Sequence, residues 1–342
     1  MSKKINIVME KSTPPMIWLD TSIISKIARY KLGKSLNESD KERISKLYIL
    51  ILEKVKEKKL LCPEADQIEE LNLFIQGEDE YKKFVKECYN IIASLSVGSR
   101  LYHHKGIERV QMQLLMKAFC NREEKIHVSY KDIYNEPKIM DFRGGKIFLT
   151  TQLSGAMENY SKQLEAKGKF HKNYENLRQS KVNDGLTYEE ALEIEYLDEL
   201  QIIEYAKHLY FKLLNGEILS QSDFERMRIY FEKKRDWEVY GCVPKSFEGL
   251  KKFLRSDYYK SIPNVDISSK LFAKIWTSPK KIESGDTKDI KYLSIIIPYY
   301  DYVVTDKKMK NFISDLELDT KYDTRVFCLR NFEQLFNEIE IL

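Results

Sequence analysis

The chain has 342 residues, enough for one large domain or two smaller ones, and 43% of them are hydrophobic, which supplies a substantial core. Lys and Arg number 57 against 53 Asp and Glu, a net charge of +4, so global charge singles out no polyanionic partner and any nucleic-acid affinity has to come from local patches. No apolar run approaches the ~20 residues of a membrane span, and no secretory apolar region opens the sequence, so no membrane partner is expected.

The first element reads as β then α. Pro14 and Pro15 stop any helix, Met16 to Leu19 form a buried strand, and Asp20 ends it. Ser22 to Tyr30 carries Ile23, Ile24, Ile27 and Ala28 at helical spacing. A second helix is predicted over 38–58, with Ile44, Leu47, Leu50, Ile51 and Val55 on one face and lysines in its last turn, as the helix dipole prefers. Leu60-Leu61-Cys62 is short enough for a second buried strand, broken by Pro63. Asp66 or a neighbour then reads as the start of a helix carrying Glu69, Glu70 and Leu71.

From about Gln76 to Ile282 the chain becomes rich in Lys, Glu, Tyr and Leu. Helical periodicity appears in 81–95, 107–119, 188–214 and 222–236; Ile126 to Tyr130 reads as a lone strand and Gly144-Gly145 as a turn. The alternation resumes with a helix over 289–297 stopped by Pro298 and a strand over Tyr302 to Val304. A helix over 307–316, a strand over Arg325 to Leu329 and a helix over 332–339 follow. Alternating β and α units argue for a parallel sheet covered by helices, interrupted by a mostly helical insertion. The organisation expected is therefore 1–76 and 283–342 as two halves of one α/β core, with 77–282 inserted between them.

Acidic residues close these strands. Asp20 follows the first strand, Gly285-Asp286-Thr287-Lys288-Asp289 opens a helix, and Thr305-Asp306 follows Tyr302-Val303-Val304. Carboxyl ends of strands are where open α/β sheets place their ligands, and several carboxylates gathered there need a cation. Asp286 and Asp289, three apart, share a helix face near its favourable N-terminal dipole. Taken singly, each acid also reads as a helix cap or a turn residue.

In this order the motifs resemble the PIN-domain nucleases. The strand before Asp20-Thr21-Ser22, an acidic helix after the second strand, a later Asp-bearing helix and the string Pro298-Tyr299-Tyr300-Asp301-Tyr302-Val303-Val304-Thr305-Asp306 carry the likeness, over 15–75 and 285–340. It implies a PIN-like three-layer α/β/α fold with a central parallel sheet. It also implies a metal-dependent endoribonuclease holding Mg2+ or Mn2+ on Asp20, Glu70, Asp289 and Asp306. Glu69 competes with Glu70, which precedes Leu71 as the family's Glu-Leu pair does, and Asp286 competes with or joins Asp289 as a ligand. Thr21, Ser22 and Thr305 are expected beside the substrate, and Asp301 at the surface or in support. The long insertion departs from compact members of the family. Single-stranded RNA is the expected partner, with single-stranded DNA the other nucleic-acid candidate and a regulatory protein or a homodimer in addition.

Carboxylate-held Mg2+ neutralises phosphate charge, activates water and stabilises a leaving oxygen, so no histidine or cysteine is required. Five cysteines (Cys62, Cys88, Cys120, Cys242, Cys328) are scattered singly, without Cys-x-x-Cys spacing, and read as buried core thiols in a reducing cytoplasm. His103-His104, adjacent on a helix, are expected to point apart at the surface. Two basic-aromatic stretches, Lys167 to Tyr174 with Lys169 and Lys172, and Arg226 to Arg235, suit a phosphate backbone, although each also reads as a solvated helix face. Two other functions compete. The late motif resembles that of haloacid-dehalogenase-like phosphatases, but their second aspartate would fall at Ser22. A catalytically silent PIN-like scaffold, its insertion binding a protein or nucleic acid, would bind no metal.

Overall fold

A computed structural model describes residues 5–65, 67, 71, 79–135, 139–142, 145–148, 160–283 and 285–342. Within these, 79–81, 135, 139–142, 145–148 and 160–171 are described by their backbone alone. Strands β1 (Asn6–Glu10) and β2 (Ile17–Leu19) lead into helices α1 (Thr21–Lys31), α2 (Glu38–Lys56) and α3 (Asp79–Ser96). Next come β3 (Arg100–Leu101), α4 (His104–Asn121), β4 (Lys125–Ser129), β5 (Tyr134–Asn135), β6 (Ile139–Phe142) and β7 (Gly145–Phe148). Helices α5 (Tyr160–Asn183), α6 (Tyr188–Leu214), α7 (Gln221–Tyr240), α8 (Phe247–Leu254), α9 (Asp257–Lys260) and α10 (Pro263–Thr277) follow. The chain closes with α11 (Asp286–Ile296), β8 (Tyr302–Val304), α12 (Lys307–Asp315), α13 (Leu318–Lys321), β9 (Arg325–Phe327) and α14 (Phe332–Glu340). Among the described residues no helix is long and apolar enough to cross a membrane.

The chain divides into two compact units, one of residues 1–8, 108–128 and 176–282 and the other of 9–107, 129–175 and 283–342. The second holds a parallel sheet of order β2-β8-β9, in which Leu19 pairs with Val304 and Val304 with Phe327. Bridges extend it on the other side. Leu61 lies parallel to Met16, its N–H donating to Pro15 O at 2.9 Å while Ile17 N–H donates to Leu61 O at 2.8 Å, and Glu64 lies parallel to Arg100. The segment expected as a strand at 60–62 is thus a single bridge, since Pro63 has no N–H to continue the ladder.

Side-chain alternation explains the layers. Ile17, Leu19, Tyr302, Val304 and Phe327 face one side and form a core with the apolar stripes of α1 (Ile23, Ile27), α2 (Ile44, Ile51), α3 (Cys88, Ile91) and α14 (Leu335, Ile339). Each such side chain contributes about 1.5–3 kcal/mol by leaving water. The alternate residues Trp18, Val303 and Val326 are buried as well, so both sheet faces are covered, as parallel sheets require. Because α3 packs on α1, the core unit takes in residues 77–107 that the sequence assigns to the insertion.

The other unit is mostly helical, α6 packing against both α7 and α10, and it also holds most of the two-stranded pair β1–β4. Its centre is aromatic: Trp237 stacks on Phe253 at 5.8 Å between ring centroids, and Phe119 meets Phe253 and Tyr258 edge-on. Capping boxes start α6 (Thr187 with Glu190) and α7 (Ser220 with Asp223).

Candidate functional site

The order Arg100, Leu61–Glu64, β2, β8, β9 places the first strand of the chain in the middle. From β2 the chain runs outward to Leu61 and Arg100 before returning to β8 on the opposite side of β2. The direction of winding therefore reverses between β2 and β8, and the residues just past these strands, Asp20 and Thr305-Asp306, flank the resulting crevice.

Asp20 divides its carboxylate between two tasks. Its Oδ1 caps α1, accepting from Ser22 N–H at 2.7 Å, while Oδ2 accepts from the Thr305 hydroxyl at 3.3 Å. The Asp20 N–H donates to Val304 O at 2.9 Å, so the aspartate is tied to β8 by backbone and side chain together. Asp20 is 8% exposed and Thr305 1%. Gln67, buried beside them, donates to Leu19 O at 3.2 Å and fixes the strand end just before Asp20. Thr21 opens α1 at intermediate exposure, and the Ser22 side chain is exposed.

Asp306 is the corresponding cap on the neighbouring strand. Its Oδ1 accepts from the N–H groups of Lys308 at 2.5 Å and Met309 at 3.1 Å. Among the described residues its Oδ2 takes no hydrogen bond, leaving a carboxylate oxygen at the crevice. The capping reading of Asp20 is thus realised, while Asp306, read as a turn residue, also caps a helix, and each caps through Oδ1.

Helix α11 begins at Asp286. Its Oδ2 accepts from the Glu283 N–H at 2.6 Å and from the Lys308 ammonium at 2.5 Å. Asp286 is 3% exposed, and Glu283 is the looser partner of Lys308 at 3.9 Å. Asp289, one turn on, is of intermediate exposure, and its Oδ2 lies 3.3 Å from where a side chain on Gly285 would begin, so glycine leaves that carboxylate its room. Asp286 and Asp306 are joined through Lys308, which gives its N–H to one and its ammonium to the other.

These donors fit a hard divalent cation. They are carboxylate oxygens, as Mg2+ or Mn2+ prefers, and the Lys308 ammonium against Asp286 stands where positive charge is accommodated. Glu69, Glu70 and Asp66 lie outside the described residues. Among the residues described, no three His, Cys, Asp or Glu side chains are gathered as a metal group. Lys172 is exposed on α5, where Lys169 is also found, with its side chain outside the description.

Some of the remaining expectations hold and others need correction. His103 and His104 do not diverge: their rings lie 3.8 Å apart, and His104 is buried. The helix starts at His104, so His103 precedes the first turn and the 100° helical rotation does not separate them. Asp301 is partly buried and accepts the Met16 N–H at 2.7 Å, binding β2 to the approach of β8. Cys62, Cys88 and Cys328 are buried as expected, while Cys120 and Cys242 are partly exposed. Arg226 to Arg235 lies on α7 with its cations largely engaged, Arg228 with Glu232, Lys233 with Glu199 and Lys234 with Glu238.

Lys308 is the residue that sequence reasoning overlooked, although a signal was present. Lys307-Lys308-Met309-Lys310 gives α12 three lysines and no acid in its opening turn, against the helix dipole. A local rule broken in this way marks a residue placed for something other than helix stability. No family model matches the chain, and neither a curated protein nor a solved structure matches it.

Proposed function

We propose that this chain is a metal-dependent endoribonuclease with a PIN-like three-layer α/β/α core, hydrolysing phosphodiester bonds of single-stranded RNA at the crevice between β2 and β8. The observation that carries the reading is the placement of Asp20 and Asp306 at the C-terminal ends of adjacent parallel strands, where the winding of the sheet reverses. Asp20, Asp306 and Asp289 would hold Mg2+ or Mn2+ together with Glu70, and Asp286 adds negative charge beside them. The chemistry a divalent ion supplies when bound is neutralisation of the phosphate, activation of a water and stabilisation of the leaving oxygen.

The chain's own groups orient that site. The Thr305 hydroxyl and the Ser22 N–H hold the Asp20 carboxylate from both sides, and the first turn of α12 holds Asp306. Donors of this kind fix a ligand's rotamer and are worth roughly 10–100-fold in metal affinity or activity. Thr21 and Ser22 line the same strand end, available to a substrate, and the exposed Lys172 of α5 offers a phosphate contact.

Titration calorimetry with Mn2+ tests the metal half of the proposal. Wild type is expected to bind, and Asp306→Asn to bind much more weakly. A wild type that takes up no Mn2+ would leave a non-catalytic scaffold, whose helical unit engages a partner, as the better account.

A further inference from the structure

We propose that Lys308 is a built-in counter-cation of this crevice, and that it competes with the divalent metal for Asp286. The inference rests on the metal reading given above and adds to it how the site is kept intact, and restrained, before metal arrives.

Three observations converge on Lys308. Its ammonium meets Asp286 Oδ2 at 2.5 Å, with side-chain exposures of only 16% and 4%, so the pair is largely withdrawn from water. Removing either partner of such a pair leaves a buried charge without compensation. The same Oδ2 also accepts the Glu283 N–H, so that oxygen already takes two donors while Lys308 is in place. Finally, Lys308 starts from the positive end of α12, where the dipole disfavours a cation, so the helix itself gives the lysine no reason to be there.

Its neighbours do not share the arrangement. Lys307 is exposed, and Lys310 donates to Asn331 Oδ1 at 2.8 Å. A divalent ion entering beside Asp286 would meet the Lys308 charge at close range next to a largely buried ion pair, where like charges repel more strongly than in water. Metal uptake therefore requires the lysine to swing away, towards solvent or towards the phosphate of a bound substrate. In the metal-free protein the lysine neutralises Asp286, and its displacement sets a threshold for loading.

The test is Mn2+ titration calorimetry on the full chain, without nucleic acid, for wild type, Lys308→Met, Lys308→Arg and Lys307→Met. Competition predicts that Lys308→Met binds Mn2+ about tenfold tighter or more, with Lys308→Arg and Lys307→Met near wild type. Thermal unfolding with and without Mn2+ gives a second readout: the rise in Tm on adding metal is expected to be larger for Lys308→Met. Should that variant fail to fold, Lys308→Gln, which keeps a donor for Asp286, takes its place. Equal or weaker affinity in the Lys308 variant overturns the proposal while leaving the metal site standing. An equal gain in Lys307→Met also overturns it, because the effect would then be the general field of the surface. Absence of Mn2+ binding in every protein removes the metal reading and this inference with it.

Discussion

Thr305 shows how a single hydroxyl can serve the fold and the site together. It is buried, its N–H donates to Phe327 O at 2.9 Å to hold β9, and its hydroxyl reaches Asp20. Thr305→Val keeps the shape and removes only the hydroxyl, so the proposed nuclease rate is expected to fall roughly 10–100-fold through a misoriented Asp20. Circular dichroism should show the fold unchanged, and a variant as active as wild type would remove Thr305 from the site. Asp301 makes a different prediction. Burial raises its carboxyl above the ordinary range, against the opposing effects of the Met16 N–H bond and Lys11. A group raised in the folded state contributes stability that is present below its unfolded pKa and lost as pH rises through its folded value. Asp301→Asn resembles the protonated form and can still accept from Met16. The variant is therefore expected to be the more stable protein at neutral pH, with the gap closing near pH 4. Urea melts at the two pH values check this, and a gap that widens in acid would contradict it.

At the level of elements, the hydrophobic stripes announced themselves and the weakly patterned pieces did not. Ile44, Leu47, Ile51 and Val55 mark α2 because a helix that buries one face must repeat its apolar residues every three to four positions. Tyr302-Val303-Val304 marks β8 because a strand buried on both faces is apolar throughout. Helix α5 has few apolar residues among its lysines and glutamates and so leaves no stripe in the sequence. Strand β1 escaped notice because its partner β4 lies more than a hundred residues away, a pairing no local pattern encodes. Residue positions split the same way: Asp20 and Asp306 were legible as the acids that follow β2 and β8, whereas the Lys308–Asp286 pair joins two helices and emerges only from the fold. Tertiary contact also fixes Gly249 in α8. A methyl group there would stand 2.1 Å from Pro244 O and 2.9 Å from the Trp237 Nε1 that donates to that same carbonyl. Gly249→Ala must push backbone away from the packed indole, and about 1–3 kcal/mol of stability is expected to be lost. Loss of the native Trp fluorescence signal at lower urea would register it, and an unshifted midpoint would mean the turn is softer than its contacts imply.

Across the whole molecule, sequence neighbours and spatial neighbours part company. The chain passes between its two compact units several times, at residues 8–9, 107–108, 128–129, 175–176 and 282–283, so neither unit is a contiguous stretch that a single cut would release. The α/β unit contains Asp20 from near the start of the chain and Asp286 and Asp306 from near its end, and the parallel pairing of β2 with β8 sets Asp20 against Thr305, next to Asp306. The measurement that bears most directly on this assembly is cleavage of labelled single-stranded RNA and DNA by wild type and Asp20→Asn, each with Mn2+, with Mg2+ and with EDTA. Asparagine caps a helix about as well as aspartate, so the variant should fold normally and lack only the charge. The account predicts RNA cleavage that needs the metal, stops with EDTA and is lost in Asp20→Asn. Cleavage that persists undiminished in Asp20→Asn, or no cleavage by a wild type that also binds no Mn2+, would contradict it.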